Sequence, residues 1–208
     1  PPPPPRDSIR RQRQMCIRDR PVPAAADDGL AAVRWVSAHA QELDGRAGPV
    51  AVAGWSAGGN VAAVTAQQAR TGGPPLAGQV LLCPVVDGVE ARPSSEQNAE
   101  GMGLTGSLMD WFWGHYCPGE LRSDPKASPL RAESLSGLPP ALVVTCQFDP
   151  LRDEGNAYAA ALESAGVDVE LLECEGQIHT SVPAVDLVTT AEYAREAIVT
   201  ALKRFFSN

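Results

Sequence analysis

The sequence predicts an α/β fold, a mostly parallel sheet with helices on both faces. Two observations carry that expectation. From residue 21 onward, short continuous apolar runs of strand type alternate with longer segments of helical period. The run Val50–Ala53 also leads through Gly54, Ser56 and Gly58 into the alanine-rich segment Val61–Ala69, so that a strand, a tight turn and a helix follow one another directly. At 208 residues one domain is the default, with enough chain for a core.

Residues 1–20 stand apart. Pro1–Pro5 is a proline run, and Arg6–Arg20 carries six arginines with almost no apolar periodicity. A basic arm or a targeting peptide would use such charge. The string Arg10–Arg20, however, resembles translated adapter read-through more than a protein segment. It is read as a disordered or non-native leader, outside the fold.

The first helix opens at Ala24, with Asp27 and Asp28 suiting its positive end, and continues with Leu30, Val33, Val36, Ala40 and Leu43 at helical spacing. A loop over 44–49 precedes the first strand. Gly72, Gly73, Pro74 and Pro75 break the helix that follows the turn. Gln79–Cys83 reads as a buried second strand. Residues 84–104 form a long connection rich in Gly, Pro and Ser, a length that in compact domains often marks a functional loop. Thr105–Tyr116 reads as a helix carrying Trp111, Phe112, Trp113 and Tyr116, aromatics that suit either an apolar substrate pocket or packing on the body of the domain. His115 in this helix is read as a surface or packing histidine. After an irregular stretch come a third strand at Pro139–Cys146, a helix at Asp153–Ala165 closed by Gly166, a fourth strand at Val167–Cys174, and a final helix at Glu192–Phe206 with Ala194, Ile198, Ala201, Leu202 and Phe205 on one face.

The formal charge of −8 and pI near 4.9 argue against a nucleic-acid partner, because phosphate binding needs a basic surface. No apolar run reaches membrane-spanning length, and no signal-peptide core is visible. The cysteines at 16, 83, 117, 146 and 174 are odd in number and form no C-x-x-C pair, so they are read as buried thiols of a reduced, cytoplasmic protein. Three histidines without a His/Cys cluster give no metal site, and no cofactor is expected.

The chemistry converges on the strand ends, where open parallel sheets bind their ligands. Ser56 sits in a turn so tight that Gly54 and Gly58, two residues to either side, are expected to be required without a Cβ, with Gly59 close behind. The helix beginning after Ser56 aims its positive end at the same spot, so the N–H of Ala57 is placed to donate to a developing oxyanion. A serine hydroxyl attacks well only if a base takes its proton and a carboxylate orients that base. Asp149 follows the third strand and His179 the fourth, which supplies both. His39 lies inside the first helix and is a poor rival. Asp153 and Glu154 fall in the helix rather than at the strand tip. Asp87, after the second strand, is the better alternative acid. A plain turn serine with an unrelated loop aspartate and histidine remains the competing reading.

From Pro21 onward the chain resembles the bacterial hormone-sensitive-lipase-like carboxylesterases of the α/β-hydrolase fold. The residues that carry the resemblance are Gly54-Trp55-Ser56-Ala57-Gly58-Gly59-Asn60, similar to that family's G-D-S-A-G-G-N, then Asp149-Pro150-Leu151-Arg152-Asp153-Glu154-Gly155, similar to its D-P-L-R-D-E-G, and His179. The resemblance implies a serine esterase acting on small-molecule esters of short acyl chains, with a Ser-Asp-His triad and no metal or organic cofactor. Trp55 departs from the acidic residue usual beside the nucleophile, and is expected to alter local packing or the alcohol pocket. No H-G-G-G oxyanion loop occurs in residues 1–53. The chain is therefore expected to be the C-terminal portion of a hydrolase with four strands, lacking the N-terminal strands and the oxyanion glycine loop, and to be a weak enzyme by itself. A peptidase or lactonase on the same sheet, and an inactive fragment or binding module, are the alternatives. The sequence leaves the oligomeric state open.

Overall fold

The computed structural model of the protein describes residues 21–207 other than 44, 46 and 185. The leader assigned to residues 1–20 lies outside the described residues. Helix α1 (Ala24–Ala38) leads through a 3-10 turn to strand β1 (Val50–Trp55), which passes at Ser56 into α2 (Ala57–Gly72). Strand β2 (Leu76–Leu82) follows, then a connection holding α3 (Pro93–Gln97) and α4 (Gly106–Tyr116). Strand β3 (Ala141–Phe148), α5 (Arg152–Ser164), β4 (Val169–Ile178) and α6 (Glu192–Phe205) complete the order.

The four strands form one sheet in the order β1-β2-β3-β4, with every neighbouring pair parallel. Parallel neighbours require crossovers, and α2 and α5 are the helices of two of them. Alternation along the strands separates two cores. Leu81, Ala141 and Val143 point to the face covered by α2 and α5, where Ala63, Ala66, Tyr158 and Leu162 meet them. Val80, Leu142, Val144, Cys146 and Cys174 point to the opposite face, under Ala194, Ala201 and Phe205 of α6. Gly78 is required here, because a Cβ on it would lie 2.1 Å from the Phe205 ring. Cys83, Cys117, Cys146 and Cys174 are all buried free thiols.

Two local details shape the site end of the sheet. Register between β3 and β4 shifts between Cys146↔Cys174 and Phe148↔Ile178, so β4 carries extra residues just before His179. Gly176, in the left-handed region at φ +70, lies in that bulge and donates its N–H to Gln147 Oε1 at 2.8 Å. The fourth strand consequently runs four residues beyond the Cys174 end that its apolar pattern suggests. Helix α3 was not anticipated within the 84–104 connection.

Candidate active site

Ser56 occupies the elbow between β1 and α2 with φ 57 and ψ −120, a left-handed conformation that a serine rarely adopts. Its N–H donates to the Leu82 carbonyl at 2.8 Å, and its own carbonyl accepts from Asn60 and Val85. These bonds hold the strained turn. Gly54 is required by close approach, since a Cβ there would lie 2.0 Å from the Gly58 carbonyl oxygen. Gly59 is likewise confined, its Cβ position falling 2.9 Å from Pro84 Cβ. Gly58 differs from the sequence expectation. A Cβ on it meets nothing within 4 Å, because its hydrogens face open space while the close approach to β1 is made by its carbonyl.

At the tips of β3 and β4, Asp149 and His179 reach the same point. His179 Nδ1 lies 2.7 Å from Asp149 Oδ2, and Nε2 lies 3.0 Å from Ser56 Oγ. Asp149 Oδ1 also accepts the Leu151 N–H at 2.9 Å. Asp149 is fully buried and His179 nearly so. A buried carboxylate must accept, so Nδ1 carries the proton and Nε2 is left to accept from the serine hydroxyl. The rival acids are occupied elsewhere. Asp87 is bridged by Arg131 at 2.8 and 3.1 Å and approached by Arg92 at 3.6 Å. Asp153 pairs with Arg152 and accepts the Ser94 N–H. Glu154 accepts the Val86 N–H at 2.7 Å, and its burial pushes its carboxyl up to about 8. His39 and His115 each bond a main-chain carbonyl four residues back on their own helices.

Helix α3 supplies support that the sequence did not reveal. Asn98, at its C-terminal cap, donates to the carbonyls of Asp149 (3.2 Å) and Gln147 (3.5 Å). Ser94 donates its hydroxyl to the Pro150 carbonyl at 2.9 Å. The loop that carries Asp149 is thus pinned by two buried polar side chains, with no periodic apolar signal to announce them.

A cavity of about 470 Å³ opens at Ser56, and its wall is almost wholly apolar. Of the residues assigned to a substrate pocket from the sequence, Trp55, Phe112 and Tyr116 line it, together with Ala57, Asn60, Leu104, Leu108, Met109 and Trp113. Burial pushes the Tyr116 hydroxyl up to about 12, so it stays protonated. Trp111 lies outside this cavity. It is 53% exposed and its ring meets that of His115, one turn on, at a tilt of 37°. Helical periodicity explains the split, since Leu108, Phe112 and Tyr116 share one face while Trp111 and His115 share another. Among the described residues, Cys83, Asp149 and His179 form a group with ligand-capable atoms within 4.8 Å of one another. The Cys146 thiol contact lowers the Cys83 pKa, but burial and the Asp149 charge outweigh it and push that thiol up, which disfavours the thiolate that a metal needs.

A serine at a strand-to-helix elbow, with a carboxylate and a histidine from later strand tips of a parallel sheet, defines the α/β-hydrolase class. Residues 19–182 match the family described as the alpha/beta hydrolase fold. The chain belongs to the hormone-sensitive-lipase-like family of α/β-hydrolases. It is 43% identical over 191 residues to carboxylesterase NlhH of Mycobacterium tuberculosis, covering 89% of this chain and 60% of that protein. An ester hydrolase from the metagenome of Lake Arreo, solved with a bipyridine phosphonate derivative, superposes with a TM-score of 0.85 at 37% identity, over 91% of this chain and 61% of its own. A thermostable esterase from Pseudomonas putida superposes at 0.80 with 43% identity, over 84% and 56% of the two chains. The chain spans between 43% and 60% of the length of the curated relatives compared with it. No helix among the described residues is long and apolar enough to cross a membrane.

Proposed function

We propose that the chain carries the catalytic apparatus of a carboxylic ester hydrolase that works through an acyl-enzyme on Ser56. The observation that carries this reading is the continuous pair of hydrogen bonds from Asp149 through His179 to Ser56 Oγ, at 2.7 and 3.0 Å. Ser56 Oγ attacks the ester carbonyl carbon while its proton passes to His179 Nε2. Asp149 keeps the imidazole in the required tautomer and steadies the imidazolium. The Ala57 N–H, in the first turn of α2, has no intrahelical acceptor and donates to the oxyanion. Collapse of the tetrahedral intermediate expels the alcohol, which takes the proton from Nε2. Water then enters by the same route and frees the acid. The apolar cavity beside Ser56 favours uncharged esters of small acyl and alcohol groups. The test is hydrolysis of p-nitrophenyl acetate and butyrate by the wild-type chain and by Ser56→Ala. Ser56→Ala is expected to lower turnover by about 10⁴-fold or more. Turnover within tenfold of wild type in that variant, with the fold intact, would overturn the assignment.

A further inference from the structure

The sheet order leaves the catalytic pair without a direct backbone link. The serine follows β1 and the histidine follows β4, and β2 and β3 lie between them. No ladder hydrogen bond can join those two strands. Trp55, the last residue of β1, crosses this gap with its side chain. Its indole Nε1–H donates to the main-chain carbonyl of His179 at 3.1 Å, between residues 124 apart in sequence. Its ring also lies over the imidazole, with centroids 5.0 Å apart and planes inclined by 34°. Among the described residues, the other hydrogen bond between the elbow and the His179 residue is the reactive one itself, from Nε2 to Ser56 Oγ.

We infer that Trp55 is a positioning residue that fixes His179 against Ser56 through its bond to the His179 carbonyl and its tilted contact with the imidazole ring. This rests on the triad reading given above. The two contacts act differently. The indole N–H sets the height of the His179 main chain above the elbow, so Nε2 is already within bonding distance of Oγ before substrate arrives. The ring face, rich in π density, lies beside the imidazole where positive charge develops as the serine proton is transferred, and an aromatic face within about 6 Å stabilises a cation. The ring contact strengthens as charge develops on the imidazole, while the N–H bond preorganises the base before the reaction, so loss of either falls on kcat more than on KM. Because Trp55 directly precedes Ser56, any movement of the elbow carries the strap with it.

The test compares Trp55→Phe, which keeps a ring without the N–H, with Trp55→Ala, which removes both contacts. Kinetics with p-nitrophenyl butyrate are paired with proton NMR of the His179 Nδ1–H, whose bond to Asp149 gives a low-field resonance. The same resonance is followed with and without Ser56→Ala, so that it is read independently of turnover. Trp55→Ala is expected to lower kcat by about tenfold or more with KM within twofold, and Trp55→Phe by roughly threefold, the imidazole being a small distance from its reacting geometry in each. The low-field resonance is expected to broaden in Trp55→Phe and to be lost to exchange in Trp55→Ala. A raised KM with kcat unchanged would show Trp55 acting only through the cavity wall that it also forms, and would overturn the inference. So would a resonance and kcat unchanged in Trp55→Ala. Absence of the resonance in the wild-type chain overturns the triad reading and this inference with it.

Discussion

Replacing Gly54 by alanine puts a methyl carbon 2.0 Å from the Gly58 carbonyl oxygen, 2.2 Å from its carbon and 2.7 Å from the Gly59 nitrogen. All three are backbone atoms of the first turn of α2, so no side chain can swing aside. Ordinary contact distances would require β1 and α2 to separate by more than ~1 Å, and overpacking of this kind costs about 1–3 kcal/mol or more. The same movement carries Ser56 Oγ away from His179 Nε2, now at 3.0 Å. A misplacement of ~1 Å at a reacting atom costs on the order of 10²-fold in rate. Gly54→Ala is therefore expected to melt several degrees lower and to lose at least ~10²-fold in kcat/KM. Gly58→Ala is the control, since its methyl meets nothing within 4 Å and the position is helical. Removing a helical glycine there gains up to about 1 kcal/mol, worth roughly 2–4 °C in a chain of this size. The assay is a circular-dichroism melt with aryl ester hydrolysis on the same preparations. Equal damage from the two substitutions, or a fully active Gly54→Ala, would refute this close approach of Gly54 to the first turn of α2.

Three further outcomes follow from the site's surroundings. Burial pushes the Glu154 carboxyl from its ordinary 4.5 up to about 8 in the fold; the folded state then binds the extra proton between those values, so this group's contribution to stability is fully present below about 4.5 and is lost as pH rises toward 8, by a few kcal/mol. Glu154→Gln should flatten that decline in urea melts collected from pH 5 to 8, and an unchanged slope would contradict it. Asp87→Asn should cost about 1–3 kcal/mol by depriving Arg131 and Arg92 of their buried partner, yet leave turnover per folded molecule within about threefold, because Asp87 does not contact His179; denaturant titration and kcat measure the two. Asn98→Ala should remove one of the two donors that hold each of the Gln147 and Asp149 carbonyls, the other in each case being Arg152, and lower kcat several-fold with KM unchanged as the loop carrying Asp149 loosens; steady-state kinetics showing kcat intact would remove α3 from the support of the acid.

What the sequence revealed and what it concealed divide by the range of the physics. β1, β2 and β3 were legible as mostly apolar runs bounded by glycine or proline, whereas the run Val167–Cys174 that gives β4 was legible by alternation, its Asp168, Glu170 and Glu173 falling between the apolar residues of a partly exposed strand. Gly54 and Ser56 were legible because a left-handed serine between strand and helix needs a close approach that only glycine permits. Gly58 misled, since the motif does not tell which of its two glycines makes the approach with Cα and which with its carbonyl. Trp111 misled for lack of a helical phase, which Leu108, Phe112 and Tyr116 supply once the cavity side is known. Helix α3 has five residues, too short for a period to declare itself. Arg131, which bridges Asp87, lies 44 residues away and the carbonyl held by Trp55 lies 124 away, and no local pattern encodes a contact to a distant guanidinium or main chain.

Ester hydrolysis by this chain requires Ser56 to be a nucleophile activated by His179. Mass spectrometry after reaction with an aryl phosphonate ester tests that most directly. One adduct per folded chain is predicted, on the peptide holding Ser56, absent in Ser56→Ala and formed ~10³-fold or more slowly in His179→Ala. An adduct on any other residue, or labelling of His179→Ala at the wild-type rate, would contradict it.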